Sequence, residues 1–185
     1  MKKQVLFPSF KDIEIIIFDF DGIFTDNKVY INQNGEETVR CDKSDSLGFD
    51  LLRKFQKRYN WDVKIIVLTK EVNKVVEARC KKLNLTCYQG IEDKMSFLLN
   101  NFSSNLKNTK KKYLSKLVYL GNDLNDLKAI EISEYSFAPI DAHEIIKNSV
   151  TYVLPYKGGD SFIRNFIEIL INLKSLPKDE LIKII

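Results

Sequence analysis

An α/β fold, with a parallel sheet covered by helices on both faces, is what this sequence predicts, and three observations predict it. The β-branched run Ile15-Ile16-Ile17 reads as a strand buried on both faces. Further short apolar runs, VKIIVLT at 63–69 and LVYL at 117–120, alternate with segments of helical periodicity, the pattern of a parallel sheet. Each of these runs ends in polar residues: Asp19 and Asp21 after the first, Thr69 in the second, and the GNDLND stretch of 121–126 after the third. Sites in such sheets lie beyond the carboxyl ends of the strands, which would gather Asp19, Asp21, Thr69 and Asn122–Asp126 into one crevice. The 185 residues fit one domain, 1–185.

Composition narrows the class. Hydrophobic residues make up 44% and charged residues 29%, an ordinary globular balance, and a net charge of +4 suits an anionic substrate. Lys110-Lys111-Lys112 has no interleaved stacking aromatics and reads as a solvated loop rather than a nucleic-acid patch. Cys41, Cys80 and Cys87 are odd in number and lack CxxC spacing, so disulfides and zinc are not expected and a reducing cytoplasm is. Pro8, Lys11 and Asp12 interrupt the N-terminal apolar run, against a secretory leader, and no apolar stretch is long enough to span a membrane.

Taken in order, Ile13–Asp26 (IEIIIFDFDGIFTD) is a strand that ends in two acids and a glycine. Residues two apart on a strand point the same way, so Asp19 and Asp21 can face one site, and Gly22 allows a tight turn. Two acids at the mouth of a buried strand are costly without positive charge between them, and a hard cation such as Mg²⁺ beside a phosphate would supply it. A polar turn after a core strand is the other reading of Asp-x-Asp-Gly alone. Lys28–Arg40 reads as a hairpin about Asn34-Gly35, with Val29, Tyr30 and Ile31 exposed for a partner.

A helix over Lys43–Tyr59 follows, with Ser44 or Asp45 as cap and Leu47, Leu51, Leu52 and Phe55 as its apolar face. Strand Val63–Thr69 leads to an amphipathic helix over Glu71–Leu83 carrying Val72, Val75, Val76 and Leu83. Thr86–Tyr88 is a short strand and Asp93–Phe102 a helix with Lys94 in its first turn, an unfavourable place for a cation. The polar segment 103–116 lacks a core pattern, and Leu117–Leu120 is the next strand. A helix to about Ile132, a strand near Tyr135–Ala138, a helix over Ala142–Lys147 and a strand at Thr151–Val153 continue the alternation. Gly158-Gly159 introduces a last helix, Ser161–Leu173, and His143, the sole histidine, is read as a helix-entry residue.

The hydrophobic run followed by DxDGxxTD, with Thr69, Lys94 and GNDLND in order after it, resembles the four motifs of the haloacid dehalogenase (HAD) superfamily. That resemblance implies a Rossmann-like sheet, an Asp19 nucleophile, an Asp21 acid/base, and Thr69 and Lys94 on the phosphoryl oxygens. It also implies Mg²⁺ held by Asp19, the Asp21 backbone carbonyl and Asn122. Much of the superfamily has Asp where this chain has Asn122, one negative charge fewer, with Asp123 or Asp126 as candidates to make up the difference.

SDSLGFDLL, ARCKKLNL, YQGIEDK, APIDAHEIIKNSVTYV and GGDSFIRNF, with a hairpin instead of a cap domain, resemble the capless tetrameric subfamily. Its members include 3-deoxy-D-manno-octulosonate 8-phosphate phosphatases, nonulosonate 9-phosphate phosphatases of sialic acid biosynthesis, and the C-terminal domain of some CMP-sialic acid synthetases. The resemblance implies a homotetramer whose neighbouring subunits close the site. Thr69-Lys70-Glu71 and Ser44-Asp45-Ser46 are similar to the nine-carbon group, which would make Glu71, Arg79 and Lys82 sugar-recognising positions. Arg79 and Lys82 read equally as a solvated helix face. The subfamily's Gly-Gly-x-Gly-x-x-Arg appears as Gly158-Gly159-Asp160-Ser161 with Arg164 retained. A catalytically silent module serving a synthetase is the competing function, and the retention of Asp19, Asp21 and Lys94 argues for the enzyme.

Overall fold

The computed structural model describes residues 7–102 and 114–185, and the Lys110–Lys112 run lies outside them. Six strands form one parallel sheet in the order β5-β4-β1-β6-β7-β8. They are β1 (Ile15–Phe18), β4 (Lys64–Leu68), β5 (Thr86–Tyr88), β6 (Leu114–Leu120), β7 (Ser133–Pro139) and β8 (Tyr152–Leu154). The chain runs outward from β1 to one edge, returns to β6 on the other side of β1, and runs to the opposite edge. That reversal opens a crevice at the carboxyl ends of β1 and β6.

Strand alternation divides the core. Ile16 and Phe18 pack with α1 (Ser44–Tyr59), α2 (Lys74–Leu83) and α6 (Phe162–Leu170). Ile15 and Ile17 pack with α3 (Lys94–Phe102), α4 (Leu127–Glu131) and α5 (Glu144–Ser149). The residues of β1 are completely or almost completely buried, as a run of β-branched residues sandwiched between helix layers requires. His143 caps α5, its Nδ1 accepting the Ile145 N–H at 3.2 Å.

Several elements differ from expectation. Strand β6 starts at Leu114, three residues before the predicted Leu117, and Leu114 is buried although 103–116 shows no core pattern. Helix α6 ends at Leu170, three residues short of the predicted Leu173. The hairpin, β2 (Thr25–Ile31) and β3 (Glu37–Cys41), starts three residues earlier than predicted. Its turn is closed by the Asn32 side chain, which accepts N–H groups from Asn34 (2.9 Å) and Glu36 (3.0 Å). Helix α2 begins at Lys74, because Asn73 caps it through the Val75 N–H at 2.9 Å. Glu71 and Val72 therefore stay in the preceding loop, and Val72 is 81% exposed instead of lying on the apolar face. Neither Ser44 nor Asp45 caps α1: Asp42 accepts the Ser44 N–H at 2.8 Å, and Asp45 is buried. Leu47 is half exposed, because α1 buries the side carrying Gly48, Phe49, Leu52 and Phe55. Finally, α6 is not the last helix. Pro177 starts α7 (Lys178–Ile184), pinned to α1 by a two-pronged Arg58–Glu180 ion pair at 2.8 and 2.9 Å.

Candidate active site

Asp19, Asp21, Thr69, Glu71, Asn122 and Asp123 line one open cleft of about 310 Å³ at the carboxyl ends of the central strands. Asp19 directly follows β1 and shares a face with Ile15 and Ile17, the face covered by α3. Its N–H donates to the Leu120 carbonyl at 2.9 Å, which locks the end of β1 to β6. The first residue of α3 is Lys94, and its Nζ reaches Asp19 Oδ1 at 2.8 Å and Asp126 Oδ1 at 2.7 Å.

All three of these side chains are nearly or wholly shut off from water. Burial works against the Lys94 ammonium, but Asp19 and Asp126 outweigh it and raise the group above its ordinary range. Asp19 is pushed up to about 8, first by burial and then by the Asp126 charge, against the pull of Lys94. Two buried carboxylates, Asp19 and Asp126, thus share the single Lys94 ammonium.

Asp126 serves as the hub beneath the cleft. Besides Lys94, it accepts the Tyr119 hydroxyl at 2.7 Å and the backbone N–H groups of Asn122 (2.9 Å) and Asp123 (3.3 Å). It lies under the floor, while the exposed Asp123 caps the short 3-10 turn Leu124–Asp126 and lines the rim. The turn is tight: a methyl group on Gly121 would collide with the Asp126 carboxylate, and one on Gly22 would collide with the Asn122 amide. Gly158 presses in the same way on the Gly22 carbonyl, and Gly159 donates its N–H to Ile23 at 3.1 Å. The turn before α6 thus supports the loop that carries Asp21.

Asn122 Oδ1 is buried without a hydrogen-bond partner. An orphaned amide oxygen near a carboxylate that shares its ammonium with another is a donor pair suited to a hard cation. Among the described residues no three His, Cys, Asp or Glu side chains converge to hold a metal. Asp19 and Asn122 are thus a lightly charged donor set.

Asp21 is half-buried and accepts the Thr25 hydroxyl at 3.4 Å. Burial first, and the Glu71 carboxylate second, raise its pKa. Thr69 is buried at the end of β4, with its Oγ1 accepting the Glu71 N–H at 3.1 Å. Arg79 and Lys82 do not line this cleft. Arg79 donates to the Asp42 carbonyl at 2.6 Å, and Lys82 is exposed on α2. The structure adds Asn27, Lys70 and Asn125 to the lining, and Tyr119 to the support beneath. Only Asn27, at φ 58° in the irregular start of β2, is of a residue type that such a conformation favours.

No family model matches the chain. Of solved structures, one described as a HAD family hydrolase from Streptomyces avermitilis is 30% identical, covers 93% of this chain and 94% of its own, and superposes with a TM-score of 0.78. The chain belongs to the HAD family. It is a phosphoric monoester hydrolase of the capless branch. The octulosonate 8-phosphate phosphatase KdsC of Escherichia coli K12 is 28% identical over 87% of this chain and 80% of its own length. The corresponding phosphatase of Moraxella catarrhalis, solved with magnesium, phosphate and KDO, is 25% identical, with a TM-score of 0.76 over 88% of each chain. No helix among the described residues is long and apolar enough to cross a membrane.

Proposed function

We propose that this HAD protein is a Mg²⁺-dependent phosphatase, acting on the phosphate monoester of a 2-keto-3-deoxy sugar acid through an aspartyl-phosphate. The observation that carries the reading is the Lys94 ammonium between Asp19 and Asp126, buried behind an open cleft that Asp19, Asp21 and Thr69 line. Asp19 attacks phosphorus in line, with Lys94 and the Thr69 hydroxyl holding phosphoryl oxygens. Asp21, whose raised pKa suits a proton donor, protonates the leaving oxygen and then takes a proton from the water that hydrolyses the acyl phosphate. Asp19, the Asp21 carbonyl and the Asn122 amide oxygen would hold Mg²⁺, which neutralises phosphoryl charge and fixes the attack geometry when bound.

Nonulosonate 9-phosphate is the favoured substrate, supported by Glu71 on the cleft wall and by the Thr69-Lys70-Glu71 sequence. The eight-carbon octulosonate 8-phosphate is the second reading, supported by the likeness to the E. coli and M. catarrhalis phosphatases. Phosphate release from the two esters, with Mg²⁺ and with EDTA and with Asp19→Asn as blank, tests both. Preference for the eight-carbon ester would overturn the nine-carbon choice, and equal release by wild type and Asp19→Asn would overturn the phosphatase.

Residues 1–185 would work as one domain, in a reducing cytoplasm, as a homotetramer assembled through the hairpin. Val29, Tyr30 and Ile31 are 49–63% exposed there, a run of apolar residues on a two-stranded hairpin that supports an interface. In that assembly Arg79 and Lys82 would face a neighbour's substrate. Light scattering at micromolar concentration should give four subunits, and Tyr30→Glu should dissociate them. A wild-type monomer would rule the assembly out.

A further inference from the structure

Past Asp21 the catalytic cleft continues into a second cleft of about 200 Å³, between the hairpin and the entry to α2. Asp21, Asn27 and Glu71 line both, so the two clefts form one groove. A general acid must lie within hydrogen-bond reach of the oxygen it protonates. With Asp21 as that acid, the organic part of the ester starts where the two clefts meet. We propose, resting on the phosphatase reading above, that the hairpin cleft binds the neutral polyhydroxylated chain of the substrate, with Asn27 and Glu37 selecting it.

The charge of the cleft decides which end enters. Asp21, Glu37 and Glu71 border this space with a single lysine, Lys28. Such a wall repels a carboxylate but accepts hydrogen bonds from hydroxyl groups, and Phe20, Val39 and Val76 offer apolar surface to C–H faces. The acid group of a sugar acid therefore points away from the hairpin while its hydroxylated chain lies along it.

Both selecting residues are held ready. Asn27 sits at φ 58°, a left-handed conformation in which asparagine is enriched among side-chain-bearing residues. Its own N–H is tied to Thr25 Oγ1 at 3.2 Å. The Asn27 amide has no hydrogen-bond partner among the described residues, and it offers one donor and one acceptor side to neighbouring hydroxyls. Glu37 accepts from Asn73 Nδ2 at 2.8 Å, and Asn73 is itself fixed as the cap of α2. The bond ties the hairpin to the helix and leaves the other Glu37 oxygen for the ligand.

The test is the specificity ratio, kcat/KM for a sugar-acid phosphate divided by that for p-nitrophenyl phosphate, which has no hydroxyls on its leaving group. Asn27→Gly is the cleaner variant, since glycine accepts the positive φ and only the amide is lost. Glu37→Gln is the second. Each should lower the ratio about three- to tenfold through KM, the loss of one or two hydrogen bonds. A ratio within twofold of wild type for both variants overturns the proposal. If wild type rejects every sugar-acid phosphate yet hydrolyses p-nitrophenyl phosphate, the sugar-acid reading fails separately. The same ratio measured with sorbitol 6-phosphate then decides the polyol cleft. A wild type inert to all these esters overturns both.

Discussion

Lys94 and Asp126 form an ion pair of 2.7 Å in which neither side chain reaches solvent. The same Asp126 carboxylate binds Tyr119 and the N–H groups of Asn122 and Asp123. One buried carboxylate thereby sets both the height of the ammonium under Asp19 and the turn that presents Asn122. Removing the Asp126 carboxylate leaves Lys94 paired with Asp19 but strips the buried Tyr119 hydroxyl and the Asn122 N–H of their acceptor, at a cost of about 1–3 kcal/mol per buried group left unsatisfied. Asp126→Ala should lose about that much in urea unfolding, with a smaller loss for Asp126→Asn. Equal stability of Asp126→Ala and wild type would refute the hub role.

Asn122 gives the proposed metal site one charge fewer than an aspartate would. Asn122→Asp should therefore strengthen Mg²⁺ binding, lowering the concentration for half-maximal activity roughly tenfold, about 1.4 kcal/mol. Asn122→Ala should raise it. Mg²⁺ titration of activity after EDTA treatment measures both, and unshifted curves would remove Asn122 from the ligand set.

The Asp21 carboxyl is raised by burial and then by Glu71. Protonated Asp21 is the form needed to expel an alcohol, so turnover should fall as pH rises through its pKa. Glu71→Gln takes away a neighbouring negative charge and lowers that pKa, moving the basic limb of the kcat–pH profile to lower pH. For p-nitrophenyl phosphate, whose leaving group needs no proton, the limb should be weak. A profile for Glu71→Gln that overlays wild type would refute the coupling.

Asp45 is buried at the start of α1 with one carboxylate oxygen unpartnered, and burial pushes its pKa up to about 7. The ordinary value is 3.8, so between about pH 4 and 7 the folded chain keeps a proton that the unfolded chain releases. Stability from this residue is greatest below that window and is lost as pH rises through it. Asp45→Asn should flatten the dependence, gaining about 1–3 kcal/mol at pH 8, the cost of an unsatisfied buried polar group, and nothing at pH 4. Urea midpoints at the two pH values check it. A gain of equal size at both would assign the effect to packing.

What the chain announces locally and what it leaves to its neighbours separate along a physical line. The isoleucines of β1, the alternation of strands with helices and the order Asp19, Asp21, Thr69, Lys94, Asn122 are readable because strand burial and strand-end position are written in a few consecutive residues. The hairpin turn was readable from Asn34-Gly35, though not its early start at Thr25. Leu47 and Val72 look like core residues in isolation; Leu47 is exposed because distant elements select the buried side of α1, and Val72 because Asn73 starts α2 only after it. Helix α7 is short and depends on Arg58, more than a hundred residues away, so no local pattern revealed it. Asp126 reads in sequence as one more acid of a metal motif. Its burial under Lys94 and Tyr119, the Gly158 contact with the Asp21 loop and the joining of two clefts at Asn27 arise from long-range convergence. Side-chain periodicity encodes which residues face inward, but the partner each one meets depends on how the strands are ordered in the sheet.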